Sequence, residues 1–167
     1  MDLWNHLSHL FEKDDGSLPD IFVENISEQE QEKIYSWIMS ISKPYGNPIV
    51  WSNKENRDIQ IADIESPVRQ FVDGNIESFR FELEGLKIEG ILIPQLTICV
   101  NLNEVEFDYR MGKEWGQKEL KALFVFLSEI KQIAENAKIL QADEGRYENP
   151  NNEFTEAFET YYAEYIS

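Results

Sequence analysis

The chain has 167 residues, enough to bury a core, and 42% of them are hydrophobic, which excludes a globally disordered polypeptide. Fifteen Lys and Arg stand against 32 Asp and Glu, a formal charge of −17. Such an excess repels nucleic acid and anionic lipid, so neither is an expected partner; it attracts a basic protein, or else serves solubility alone.

Leu3, Leu7, Leu10 and Phe11 recur at helical spacing, which predicts a short amphipathic helix over residues 2–12, closed by the turn-forming residues 13–17. The chain opens with no basic segment and no long apolar stretch, so neither a signal peptide nor a membrane span is expected, and the cytoplasm is the default location. Residues 20–25 read as a strand. Ser27 and Glu30 have the spacing of a capping box, in which the hydroxyl accepts from a free amide and the carboxylate reaches back. They open a helix with Ile34, Trp37, Ile38 and Ile41 on one face, stopped by Pro44, Gly46 and Pro48. Residues 49–51 then form a short strand, which would complete a βαβ unit.

Residues 53–57 read as a polar loop, Ile59 and Ile61 as a brief strand, and 63–73 as a short helix with Val68, Phe71 and Val72 inward. Residues 78–84 alternate apolar and polar, as an antiparallel strand with one wet face does. Gly85 and Gly90 bracket residues 86–89 between strands, and residues 91–93 and 96–100 continue the sheet, with Pro94 at a bulge or edge. Residues 104–109 alternate again, and Leu102-Asn103 forms a hairpin turn. The strongest helical stripe is Leu120, Leu123, Phe124, Leu127, Ile130 and Ile133; a short strand follows at 138–140. A last helix from Glu153 carries Phe154, Phe158, Tyr161 and Tyr165 on one face, free either to dock on the sheet or to bind a partner.

The expected fold is therefore α+β: one domain over 1–167, with a mixed or mostly antiparallel sheet of about five to seven strands and helices packed on it. Within it, 1–15 is the N-terminal helical segment, 16–142 the sheet and helix core, and 143–167 an acidic, aromatic C-terminal segment.

Candidate chemistry is sparse. His6 and His9 are the two histidines and share a helix face, but nothing completes a four-ligand metal site or places a nucleophile beside them. Cys99 sits among β-branched neighbours, as a small buried hydrophobe does. Glu104, Glu106 and Asp108 alternate along one strand, and Glu82 and Glu84 along another. Such acids form either the solvated face of a half-covered sheet or, less simply, a paired-carboxylate site. No cofactor, no metal and no enzymatic activity are expected.

Two other features bear on partners. Residues 107–116 join a strand to the long helix and contain Tyr109 and Trp115, residue types that anchor interfaces; Trp115 could equally staple the start of the helix. The acid is also uneven: residues 12–32 carry a net −7 and residues 143–167 a net −6. Should the two segments lie together, they would form one negative surface.

A small, acidic α+β chain without catalytic motifs resembles the immunity proteins of bacterial polymorphic-toxin and contact-inhibition systems. The resemblance is one of overall character and carries no residue roles with it. It implies a protein that neutralises a basic partner, such as a nuclease toxin domain, by occlusion. On that reading the exposed carboxylates Asp14, Asp15, Glu28, Glu148 and Glu153 would bind the partner, with Tyr109 and Trp115 as aromatic anchors. A secretion chaperone for an effector, and a carboxylate enzyme using a divalent metal, are the alternatives.

Overall fold

The computed structural model describes residues 2–167. The alternating segments become ten strands: β1 (Asp20–Glu24), β2 (Lys43–Pro44), β3 (Ile49–Ser52), β4 (Arg57–Gln60), β5 (Phe79–Glu84), β6 (Lys87–Ile88), β7 (Ile91–Leu92), β8 (Leu96–Asn101), β9 (Glu104–Tyr109) and β10 (Lys138–Ala142). The segments of helical periodicity become α1 (Leu3–Leu7), α2 (Glu28–Ile41), α3 (Pro67–Val72), α4 (Gln117–Ile133) and α5 (Asn152–Ile166). Six strands form one sheet in the order β10-β1-β9-β8-β5-β2, with every pairing antiparallel. This is the expected α+β class.

Two expectations about strand pairing do not hold. The βαβ unit is absent: β3 does not join the main sheet but pairs with β4 in a separate hairpin, Ile49 opposite Gln60 and Ser52 opposite Arg57. After α2 the chain pairs at once with β5 through Lys43 and Pro44, and Pro44 has no N–H to extend the ladder. Residues 49–52 then find their partner a few residues downstream, where closing the loop costs little entropy. Residues 91–93, expected to continue the main sheet, also leave it: Ile91 and Leu92 pair with Lys87 and Ile88 instead. Glu89 and Gly90 both take positive φ, +51° and +80°, a two-residue turn whose twist suits a tight hairpin. The resulting β6–β7 pair packs beside α4.

The helices sit on one face of the sheet. Tyr35 of α2 meets Phe79 and Phe81 of β5 edge-on, and Phe126 of α4 lies between Phe107 of β9 and Trp37 of α2. The helix α4 is buried well beyond its expected stripe, at Ala122, Val125, Phe126 and Ser128 as well. Neighbours enclose α4 on several sides: Trp37 of α2 stacks on Phe126, the β6–β7 pair packs beside it, and α5 docks on it rather than standing free. Phe154, Phe158 and Tyr161 all set their rings edge-on to Phe124. Phe154 and Phe158 are fully buried, each gaining about 2–3 kcal/mol from leaving water. Asn151 starts this helix by accepting from the Phe154 amide at 2.9 Å.

The capping box at Ser27 and Glu30 forms as expected. One turn on, Gln31 is fully buried and donates its amide to the carbonyls of Asn101 and Glu104, tying α2 to the β8–β9 hairpin. Gln31→Ala leaves both carbonyls short of a donor, so urea unfolding should show a loss of about 1–3 kcal/mol.

Candidate functional site

Because the helices share one face, the opposite face of the sheet is left without a helical layer among the described residues. Register decides what it shows, since residues opposite each other in an antiparallel pair point the same way. Asp20 stands opposite Asp108 and Ala142, Phe22 opposite Glu106 and Leu140, and Glu24 opposite Lys138. Across β8 and β5 the face continues through Thr97, Cys99, Asn101, Arg80, Glu82 and Glu84. It thus holds seven carboxylates (Asp20, Glu24, Glu82, Glu84, Glu104, Glu106 and Asp108) against three cations, Lys43, Arg80 and Lys138. Like charges directly opposite each other cost stability, so the Asp20–Asp108 pairing is not one that stability alone would select.

The centre of this patch is Asp20. The residue is 3% exposed, and its Oδ2 has no hydrogen-bond partner. Burial and the neighbouring Glu106 and Asp108 push its carboxyl up to about 8, so it holds a proton at neutral pH. Burial pushes up Glu104 as well, with Glu106 and Glu24 adding to the effect. It also raises Asp108, although the Arg80 guanidinium, donating to Asp108 Oδ2 at 2.6 Å, pulls that carboxyl back. Tyr147 reaches over this end from the segment after β10: its ring meets Phe22 edge-on at 5.4 Å and it is 53% exposed.

Cys99 lies on the same face, half-buried, and its thiol is pushed up by burial and by Glu106. Iodoacetamide at pH 7.5 should therefore alkylate it about tenfold or more slowly than a free cysteine, with the difference lost in urea.

The sequence-predicted residues are scattered relative to this patch. Asp14, Asp15, Glu28, Glu148 and Glu153 are all on the surface. Asp14 lies 3.4 Å from the Arg110 guanidinium, and Asp15 accepts from the Ser17 amide and hydroxyl, which holds its carboxyl below the usual range. Glu153 lies 3.9 Å from His9, and Glu144 accepts from the Leu18 amide at 2.7 Å. The N- and C-terminal acidic segments are therefore neighbours, at the end of the sheet where β1 begins and β10 ends. Glu28 lies at the other end, in the first turn of α2.

Tyr109 and Trp115 require a correction. They are 0% and 3% exposed and belong to the core. Tyr109 stacks on Phe11 at 4.7 Å, donates its hydroxyl to the Leu10 carbonyl at 2.8 Å and accepts from Gln141 at 3.0 Å. Trp115 packs on Phe11 and Tyr109, and its indole donates to the Arg110 carbonyl at 2.8 Å. Large aromatics next to a turn look alike in sequence whether they face in or out. Here the N-terminal segment folds over both rings and closes them off. The aromatics left in the open include Tyr45, Trp51 and Tyr147.

Asp20 and Tyr147 were missed as site residues. The available signal was the alternation of Asp20, Phe22 and Glu24, which matches that of Glu104, Glu106 and Asp108. Only pairing of the two strands turns the two rows into one patch. A groove of about 890 Å³ lies at the far side of the sheet, between Glu82, Glu84, Leu92, Arg110 and Glu114. Among the described residues no three His, Cys, Asp or Glu side chains converge to hold a metal ion, and no helix is long and apolar enough to cross a membrane.

No protein-family model matches the chain, and no curated protein matches it in sequence. Its fold is similar to that of a chain in the crystal structure of the toxic C-terminal tip of CdiA from Pseudomonas aeruginosa in complex with its immune protein. The TM-score is 0.52 at 13% identity, over 77% of this chain and 87% of that one. At that identity the likeness is one of fold. A T6SS protein of Pseudomonas aeruginosa aligns over 76% of this chain and 40% of its own, at 8% identity and a TM-score of 0.38, too low to argue from.

Proposed function

We propose that this chain is an immunity protein: an acidic binding protein that neutralises a basic toxin domain, such as a nuclease, by covering its working surface without chemistry of its own. The observation that carries the reading is the helix-free sheet face, where acidic side chains outnumber cations and Asp20, set opposite Asp108, is buried beside other acids at a cost to the fold. The fold it shares with a chain of a toxin–immune protein complex supports the same reading.

The size is suitable. Six strands about 4.8 Å apart make a face roughly 25 Å wide, and with strands of five or six residues its area is on the order of 500 Å². The loops at its rim bring it toward the ~800 Å² per partner of an ordinary stable interface. The exposed Asp14, Asp15, Glu148 and Glu153 extend the negative field at one end and Glu28 at the other, which speeds encounter with a basic partner at low salt.

The test is co-expression with any toxin domain that the genes neighbouring this chain's own prove to encode. Growth should be rescued, and the two proteins should co-elute in a complex that weakens as salt is raised. Absence of both rescue and complex, with both proteins folded, would sink the reading.

A further inference from the structure

Asp20 is an unusual group to leave in the middle of a binding face. The residue is more than nine-tenths buried, Oδ2 is unpartnered, and among the described residues no cation forms an ion pair with it. Glu106, diagonal to it on β9, has a long 3.4 Å contact from the Asn101 amide as its hydrogen bond. One strand pair away the same face shows what such carboxylates accept: the Arg80 guanidinium on Asp108. That arginine is committed to Asp108, so the Asp20–Glu106 pair has two carboxylates and no cation of its own.

We propose that an arginine of the basic partner is received between Asp20 and Glu106, beside the chain's own Arg80–Asp108 pair. This rests on the immunity reading and adds its central contact. A guanidinium suits the place better than an ammonium, because its planar fork can donate to two carboxylates at once. Tyr147 forms the wall. Its hydroxyl lies beside Asp20 and its ring is half exposed, so the guanidinium displaces the hydroxyl and stacks on the ring face.

Binding is then coupled to a proton. The groups facing Asp20 are Glu106 and Asp108 on β9, Tyr147 after β10 and the buried Tyr109 hydroxyl, and Asp108 in turn meets Arg80 on β5 and Glu144. With acids in the majority, the free site holds a proton that an incoming guanidinium expels. Affinity rises with pH up to about 8, where the free Asp20 carboxyl loses its proton unaided, and levels off above that.

The experiment is calorimetric titration of the toxin domain that the co-expression test identifies as the partner, at pH 6 to 8, in two buffers of different ionisation enthalpy. Wild type should release up to one proton per complex. Asp20→Asn and Glu106→Gln together should weaken binding by about thirtyfold or more and abolish the release, whereas Asp58→Asn or Glu65→Gln, exposed carboxylates away from the sheet face, should change affinity by less than about threefold. Unchanged affinity and proton release in the double variant would overturn the proposal while leaving the immunity reading intact. If wild type binds no toxin, that reading fails instead. A hexa-arginine peptide followed by carboxyl-carbon NMR then tests the face by itself. Shifts at Asp20 and Glu106 would uphold it, and shifts confined to the terminal acids would overturn it.

Discussion

Asp20→Asn is expected to stabilise the protein at pH 8 by about 2–4 kcal/mol while weakening its hold on a basic partner. In the folded chain the Asp20 carboxyl is pushed up to about 8 by burial and by Glu106 and Asp108. In the unfolded chain it titrates near its ordinary value of 3.8. Between those two values the native protein holds a proton that the unfolded chain has lost, so stability falls as pH rises, and the fall is complete above pH 8. Full conversion of that displacement, at 1.36 kcal/mol per pH unit, would give more than 5 kcal/mol; water reaching the patch from the open side and proton sharing with Glu106 reduce it. Asn keeps the shape and removes the charge. Urea midpoints measured from pH 4 to pH 9 should show wild type losing stability over that range and the variant nearly flat. Parallel curves would mean that Asp20 is solvated and ordinary. A variant that is more stable but binds worse is what a functional site leads one to expect, because the wild-type charge is kept against the interest of the fold.

Trp115→Ala should cost about 3–5 kcal/mol, the range for removing a fully packed aromatic, and should act on the N-terminal segment first. Trp115 packs on Phe11 at 4.8 Å and Tyr109 at 5.8 Å, and the Gly112 amide donates to the Phe11 carbonyl at 2.9 Å. Removing the indole takes away the surface on which Phe11 packs, where the N-terminal segment joins the core. Hydrogen exchange should speed up over residues 3–12 before the rest of the chain. At temperatures where the variant stays folded, partner affinity should change little, because the indole has no surface to offer. A large loss of affinity in a variant whose N-terminal segment remains protected would restore Trp115 as an anchor.

Local patterns told much of this in advance. The capping box at Ser27 and Glu30, the Leu102-Asn103 hairpin and the α4 stripe are each written within a few residues, and each formed where the spacing put it. The failures share one cause. Whether residues 49–51 and 91–93 joined the main sheet or paired with a near neighbour instead, and whether Tyr109 and Trp115 faced in or out, depended on which other segments completed that sheet and covered those rings.

The candidate site divides the same way. Sequence by itself determined the α+β class, the negative charge and the rows of alternating acid, because composition and side-chain period are local properties. Only the tertiary structure decided that β1 and β9 are neighbours in a register setting Asp20 against Asp108, and that every helix lies on the other side. Strand order and register come from burying both apolar faces at once, a global condition that no short window of sequence contains. Two unremarkable acidic strands thereby become a single patch with a buried carboxyl at its centre, whose ionisation burial and its acidic neighbours oppose.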